Sequence, residues 1–310
     1  MLIALLIIAR TAHIGASILL AGTFIFELVT LGPARRPASG DLHEVEQHLL
    51  RLAGWSLIAA LLSALLWFWL EVANMRGLPL VRVFSTTAWQ TVLFETEFGR
   101  VWQFRIALIA VAFVLVALGF AQPRLRHALV VALSLVGVVL LASLAWISHA
   151  AAAGAQPLGL LGDALHLCAA GAWIGGLLPL AIFLTRAHAS LSLGERALAV
   201  IRRFSTLSLS CVGILIVSGI SNSWLLVGSI HALFTTRYGW LLLGKLALFG
   251  VLVGLGARNR FIIKTKLTRV LAGSDFLAQL RRNVICEACL GLAVVAIVAC
   301  LGVTPPAQGP

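Results

Sequence analysis

The chain has 310 residues, of which 61% are hydrophobic and only 11% are charged. Soluble domains average about 45–50% apolar and roughly 25% charged residues, so this composition excludes an ordinary soluble protein and indicates one that crosses a membrane repeatedly. Five cysteines are too few for a disulfide-stapled secreted scaffold. The net charge of +12 comes mostly from basic residues in short connections between apolar runs, so we expect lipid around the chain and no nucleic-acid partner.

Eight apolar segments are long enough to cross a bilayer as helices, which takes about 20 residues. We therefore predict an all-α, polytopic membrane protein with eight transmembrane helices. In chain order the segments are Leu2–Leu28, Leu52–Leu70, Val101–Phe120, Leu129–Ile147, Leu160–Leu184, Phe204–Val227, Gly239–Leu255 and Val284–Val303.

An even number of crossings places both termini on the same side of the membrane. Sixteen of the 23 Lys and Arg residues lie in the connections on the opposite side, whereas the connections on the terminal side contain only Arg76, Arg82, Arg100 and Arg237. Cytoplasmic loops of membrane proteins are enriched in basic residues. We therefore expect both termini to face the periplasm or the cell exterior.

An internal repeat is visible in the third and seventh predicted helices. Residues 93–108 match residues 233–248 without a gap, and the match places Arg105 on Lys245. Repeats of this kind are typical of membrane transporters.

The repeat divides the chain into a first unit, residues 1–148, and a second unit, residues 149–310. His13 and His166 occupy equivalent places, because each is followed nine residues later by a glycine. Four helices is an even number, so both units run the same way through the membrane. We predict two parallel four-helix repeats, whose equivalent residues can meet at one depth.

Three histidines lie towards the end of the bundle that holds the termini: His13, His149 and His166. Imidazole is the commonest metal ligand in proteins and suits copper, zinc, iron or nickel. The spacing therefore indicates a metal site where the three converge. The alternative is that His13 and His166 are hydrogen-bonded to a backbone carbonyl or to Ser and Thr, and that His149 is a solvated loop residue.

Four charged residues accompany these histidines. Arg10 and Asp163 stand at equivalent positions, three residues before His13 and His166. They could pair with each other, or Asp163 could accept a hydrogen bond from a ligating imidazole and orient it. Arg105 and Lys245 could extend to lipid headgroups or pair locally, or could act in gating or anion binding.

The last helix carries a second group of candidates near its start. Cys286 and Cys289 have the C-x-x-C spacing, which without a second pair is weak evidence for metal release or redox work. Glu287 could relay protons or ions, or pair with Arg258 or Arg260. Two turns after the second-unit histidine, Trp173 could line a pathway or could simply pack.

Several catalytic patterns are absent from the sequence. There is no phosphate-binding loop, no H-E-x-x-H motif and no serine elbow, so we expect a protein that is not an enzyme. Only two methionines occur, which excludes a thioether ladder for Cu(I). A copper site in this chain would have to use histidine, with a cysteine or a carboxylate.

The run from Asp163 to Leu180, which reads DALHLCAAGAWIGGLLPL, resembles the signature of the CopD (PcoD) copper-resistance inner-membrane proteins, which are also built from eight helices. Further likeness extends from about residue 148 to residue 303, and the first unit matches more loosely. The residues that carry this likeness are Ser148 to Ala150, Phe204 to Gly219, Asn222, Tyr238 to Lys245 and Asn259 to Phe261, with Arg10, His13, Thr96, Gly99 and Arg105 in the first unit.

The resemblance implies copper handling in the bacterial cytoplasmic (inner) membrane, usually described as uptake of copper delivered by a periplasmic CopC-type carrier. We expect that carrier to be a separate protein. On this interpretation the copper ion binds His13, His149 and His166 and then moves inward. Asn222 would line the outer cavity, and Cys286 or Cys289 would receive the ion inside.

Two other functions stay open at this point. His13 and His166 on neighbouring helices could bind haem iron axially, which would make the protein a membrane cytochrome. Alternatively, the bundle could be a non-transporting factor that supports copper delivery or the assembly of a respiratory complex.

Overall fold

The computed structural model describes residues 1–32, 40–148, 156–266 and 274–307. In these ranges the regular structure is helical and contains no strand. Eight helices of the described chain are long and apolar enough to cross a membrane. The prediction of an all-α polytopic membrane protein is therefore confirmed.

The helices are numbered in chain order, and those that match the eight predicted segments are α1, α2, α4, α5, α6, α7, α9 and α10. The short helices α3 and α8 precede α4 and α9. The bounds are α1 Leu2–Phe26, continued by a π-helical turn at Glu27–Leu31, α2 Gly40–Arg76, α3 Ala88–Glu95, α4 Glu97–Ala121, α5 Arg126–Ala142, α6 Gln156–Ala189, α7 Leu191–Val227, α8 Ile230–Thr235, α9 Arg237–Lys266 and α10 Ser274–Leu301.

Helices α1 and α6 form the centre of the bundle. Helix α1 packs against α2, α5, α6 and α10, and α6 packs against α7, α10, α1 and α5. The spans of these two helices are the most buried of the eight, whereas the span of α9 is the least buried. The outer helices therefore separate the central pair from lipid.

Two glycines bring the central helices into backbone contact. A Cβ atom added to Gly22 would overlap the backbone of Gly175 and the carbonyl of Gly171. A Cβ atom added to Gly175 would in turn overlap the carbonyl of Ile18 and lie 3.0 Å from the Cα atom of Gly22. Small residues allow membrane helices to approach closely. The contact is reciprocal, and the two glycines are those that the sequence match places at equivalent positions.

The stretches that match in sequence also fold alike. The Thr96 hydroxyl accepts a hydrogen bond from the Gly99 amide at 3.0 Å, and the Thr236 hydroxyl accepts one from the Gly239 amide at 3.0 Å. A Cβ atom at either glycine would overlap the carbonyls of the preceding short helix. Helices α4 and α9 therefore begin with the same threonine cap and the same close glycine contact.

Helices α2 and α7 begin well before the apolar segments predicted for them. Their additional turns are polar and hydrogen-bonded to the end of α6 and to each other. Arg186 donates to Glu44 at 3.2 Å and to His48 at 2.8 Å, and Ser190 donates to Asp41 at 2.6 Å. A count of apolar residues cannot detect helical turns that lie outside the hydrocarbon region.

A buried ion pair joins the ends of α1 and α5. Arg126 donates from Nε and Nη2 to both carboxylate oxygens of Glu27, at 2.8 and 2.5 Å. Glu27 is fully buried and Arg126 is 8% exposed. Arg126 is one of the sixteen basic residues that the sequence assigns to connections, and this assignment is wrong because the guanidinium is directed into the bundle. Bidentate arginine–carboxylate pairs of this kind are among the stronger charge-assisted hydrogen bonds.

The glycine contact predicts that even one methyl group destabilises the bundle. Gly22→Ala should lower the free energy of unfolding by about 1–3 kcal/mol, because the methyl group has no space between α1 and α6. Thermal unfolding in detergent measures this effect. Gly213→Ala in α7 is the matched control, since nothing lies within 4 Å of its added Cβ atom. Equal stability of the two variants would contradict the contact.

The buried ion pair predicts a second, larger effect. Glu27→Gln should destabilise the fold by about 3–5 kcal/mol, because it leaves the buried Arg126 charge without its partner. The exposed pair of Arg186 and Glu44 supplies the control, and Glu44→Gln should cost about 0–1 kcal/mol. Denaturant unfolding of both variants provides the comparison, and similar costs would show that the buried pair is not needed.

Candidate functional site

The first polar site surrounds His13 in α1, whose side chain is fully buried. Its Nδ1 atom lies 3.0 Å from the Ala60 carbonyl oxygen and 3.3 Å from the Ser63 hydroxyl. Its Nε2 atom lies 2.6 Å from a guanidinium nitrogen of Arg105. A carbonyl can only accept, so Nδ1 carries the proton and the Nε2 lone pair accepts from Arg105.

Arg105 is held rigidly at this position. It is fully buried, and its Nη1 atom donates to the Leu140 carbonyl at 2.5 Å and to the Ser143 hydroxyl at 2.6 Å. The guanidinium also lies 5.8 Å from the ring centre of Trp102. The interpretation that Arg105 extends to lipid headgroups is therefore wrong, since its side chain is directed towards the centre of the first unit.

Aromatic rings enclose the first site. The rings of Trp67 and Trp102 lie 5.6 and 5.4 Å from the His13 ring. The Arg10 guanidinium lies 4.6 Å above Trp67, whose indole nitrogen donates to Glu71 at 3.0 Å. Arg10 thus belongs to the first site and is attracted by the Glu71 carboxylate. The site is closed and lined by cationic and aromatic groups.

The second polar site surrounds His166 in α6, at the same end of the bundle. Its Nδ1 atom lies 3.0 Å from the Ser218 hydroxyl, which itself donates to the Ile214 carbonyl at 2.6 Å. Nδ1 must therefore donate to the hydroxyl oxygen, which leaves the lone pair on Nε2. That lone pair faces the Lys245 ammonium, whose Nζ atom is 3.3 Å away. Lys245 is thus paired locally, which is one of the alternatives that the sequence left open for it.

A carboxylate and an amide complete the second site. Asp163 lies one helical turn before His166 and accepts a hydrogen bond from Asn222 Nδ2 at 3.2 Å. The Oδ1 atom of Asn222 is buried and has no hydrogen-bond partner among the described residues. Asp163 also interacts electrostatically with Lys245 and Tyr238. The His166, Asp163 and Asn222 side chains remain partly exposed, in contrast to His13.

His13 and His166 contact separate sets of residues through their ring nitrogens. Within the described ranges, no group of three or more His, Cys, Asp and Glu side chains is placed to hold a metal ion. His149 lies outside the described residues. The three-histidine site therefore stays a prediction. A haem bound by both imidazoles would require each Nε2 atom to lose its present basic partner.

A further polar group lies towards the other end of the bundle. Glu287 in α10 is 4% exposed and accepts a hydrogen bond from Asn259 at 2.5 Å. Asn283 donates to Asn259 in turn, at 2.7 Å. The predicted partner Arg260 instead donates to the Ser205 hydroxyl at 2.9 Å. Amides, not arginines, therefore hold the Glu287 carboxyl.

Glu287 lines a cavity of about 160 Å³ between α6, α7, α9 and α10. The Trp173 ring forms part of the same wall and packs against Phe249 with ring centres 6.1 Å apart. Cys286 and Cys289 are free and exposed on α10, and neither belongs to the described cavity lining. Trp173, two helical turns after His166 in α6, thus lines the cavity, whereas Cys286 and Cys289 do not.

Several of these contacts could not be predicted from the sequence. Nothing in it distinguishes Ser63 and Ser218 from other hydroxyl residues on apolar helices, or Trp67 and Trp102 from other aromatic residues of membrane helices. One signal was available, because the repeat matched both histidines and both basic residues. Their pairing within each unit could have been predicted from that match.

Sequence comparisons identify relatives along most of the chain. Residues 1–160 match the profile described as "Copper resistance protein D-like, N-terminal domain", and residues 198–301 match "Copper resistance protein D". The chain is similar to copper resistance protein D of Pseudomonas syringae pv. tomato, with 31% identity over 68% of this chain and 70% of that protein. It is also similar to inner membrane protein YebZ of Escherichia coli, with 30% identity over 75% of each chain.

A third relative is much longer than the matched region. Copper transport protein CutJ of Bacillus subtilis is 34% identical over 57% of this chain, and the match spans only 32% of CutJ. No solved structure matches the chain. The profile match over residues 1–160 and the extent of the Pseudomonas match establish the relationship: this chain is a member of the copper resistance protein D family.

Proposed function

We propose that this protein carries copper across the bacterial cytoplasmic membrane, taking it up at the face that holds both termini. Membership of the copper resistance protein D family supports copper as the cargo. The name of the B. subtilis relative, copper transport protein, supports movement of the ion over a purely protective role. The protein moves its cargo without catalysing a reaction.

The distribution of charge supports an outward orientation of the termini. Apart from the buried Arg126, fifteen basic residues lie in or beside the connections at the opposite face, which the positive-inside rule assigns to the cytoplasm. Both histidine sites then lie in the outer half of the membrane. Copper reaches them from the periplasm, where a separate CopC-type carrier delivers it.

One observation carries the proposal for capture: the Nε2 lone pair of His166, which faces Lys245, lies in a partly exposed site with the Asp163 carboxylate and an Asn222 amide oxygen that has no hydrogen-bond partner among the described residues. Imidazole nitrogen together with oxygen donors suits copper. The hydrogen bond from Nδ1 to Ser218 orients the ring, as such bonds do for metal-ligating histidines. Asp163 and Asn222 supply the oxygens, and His149 stays a proposed further ligand.

His13 has a supporting role in this proposal. Its lone pair is already engaged by Arg105, which the Leu140 carbonyl and the Ser143 hydroxyl hold in place. A cation placed there would meet a buried positive charge, which repels it strongly in a medium of low polarity. We therefore assign copper capture to the second unit. In the first unit, the contacts of His13 link α1, α2 and α4.

We also propose that the two units are structural repeats that now differ in function. The reciprocal glycine contact, the matching threonine caps and the two pairs of histidine with a basic residue support this division. Release follows the second unit inward, from His166 past Trp173 to the cavity beside Glu287. The exposed positions of Cys286 and Cys289 support release without their help.

The capture site predicts a specific loss of copper binding. The purified protein should bind Cu(I) or Cu(II) stoichiometrically, and His166→Ala should abolish that binding because it removes the nitrogen ligand. His13→Ala is the matched control and should retain the copper, although with lower stability. Titration with metal analysis of the bound fraction, together with copper accumulation by cells, measures both effects.

Other results would replace this assignment. Loss of copper in both histidine variants would restore the single three-histidine site that the sequence predicts. A Soret band in the purified protein would indicate the cytochrome instead. Unchanged cellular copper on expression, despite binding in vitro, would indicate a delivery or assembly factor.

A further inference from the structure

The basic partners of the two histidines differ in the number of hydrogen bonds that hold them. Arg105 donates to a carbonyl and to hydroxyls from two helices besides His13, so its position is fixed from several directions. Lys245 has a single hydrogen-bond partner among the described residues, the Nε2 atom of His166. Lysine is also a compact charge on a flexible four-carbon chain, unlike the rigid arginine fork.

The surroundings of the two basic residues also differ in charge. Near His13, the residue one helical turn earlier is the cation Arg10, and the ring faces are covered by Trp67 and Trp102. Near His166, the equivalent residue is the anion Asp163, which attracts Lys245. The second site therefore attracts a cation at the position that Lys245 occupies.

We propose that Lys245 is a stand-in cation, whose ammonium occupies the copper position in the empty protein and leaves when copper binds. A lone pair accepts one partner at a time, so copper and the ammonium compete for the Nε2 atom of His166. Asp163 favours either cation, because its negative charge needs a neighbouring positive charge in this partly buried site. The inference rests on the copper-binding function proposed above.

The presence of Lys245 explains how the second unit can keep its copper site unoccupied inside the membrane. Without a cation at this position, the Asp163 carboxylate would lose a favourable charge interaction, which is costly inside a membrane. Lys245 supplies a positive charge there and excludes other cations that bind weakly. Copper, which binds imidazole nitrogen more strongly than alkali or alkaline-earth ions do, can displace it.

The variants of Lys245 test this competition in opposite directions. Lys245→Met removes the competing charge but keeps the length and apolar stem, so copper affinity should rise roughly tenfold or more. Lys245→Arg keeps the charge and adds donors, so affinity should fall. The measurement is the dissociation constant of Cu(I), and separately of Cu(II), for the purified full-length protein against a competing chelator.

Arg105→Met is the matched control at the equivalent position of the first unit. It should leave copper affinity unchanged, because its partner His13 is not a ligand of the capture site proposed in the second unit. Thermal unfolding of each variant, recorded without metal, shows whether it is folded. If Lys245→Met fails to fold, the Lys245→Arg variant still decides the matter by the direction of its change.

The outcomes separate the two proposals. If neither the parent nor any variant binds copper, the proposed function fails. If the parent binds copper and His166→Ala does not, but Lys245→Met binds no more tightly than the parent, the stand-in role is overturned while the capture site stands. Weaker binding by Lys245→Met would also overturn it, because the lysine would then support the site instead of competing with the ion.

Discussion

The backbone contact between α1 and α6 at Gly22 and Gly175 is the constraint on which the rest of the structure depends. It allows two helices that each carry a histidine to occupy the centre of the bundle side by side. Each central helix then directs its histidine towards partners from its own unit. The first faces α2 and α4, and the second faces α7 and α9. The same contact that unites the two units therefore keeps their polar sites apart.

Inside an apolar bundle, every charge needs a partner, and the chain meets this need in three ways. Glu27 and Arg126 neutralise each other directly. The Nη atoms of Arg105 donate to neutral acceptors and an imidazole in a closed site. Lys245 shares its site with Asp163 and a partly exposed imidazole. The last arrangement is the one for which we propose an exchange of cations, and this is why the proposed function is assigned to the second unit.

Much of the architecture could be read from the sequence, because crossing a bilayer requires long apolar segments that a residue count detects. Residues 93–108 match residues 233–248, and the corners before α4 and α9 are built alike, since local caps and close glycine contacts depend on neighbouring residues. Arg126 was assigned wrongly because its surroundings depend on a distant residue and not on its neighbours in the chain. Its partner Glu27 is 99 residues away, and a basic residue at a helix end looks the same whether it faces solvent or the bundle.

The sequence by itself determined that this is an eight-helix membrane protein of the copper resistance protein D family, and it indicated that histidine and basic residues recur at matching places. These properties follow from composition, apolar length and local spacing, which do not depend on how the helices pack. The tertiary structure alone decided which groups meet. Rotation of a helix about its axis directs His13 to an arginine held by several acceptors and His166 to a lysine beside Asp163, and that rotation is set by packing between residues far apart in the chain.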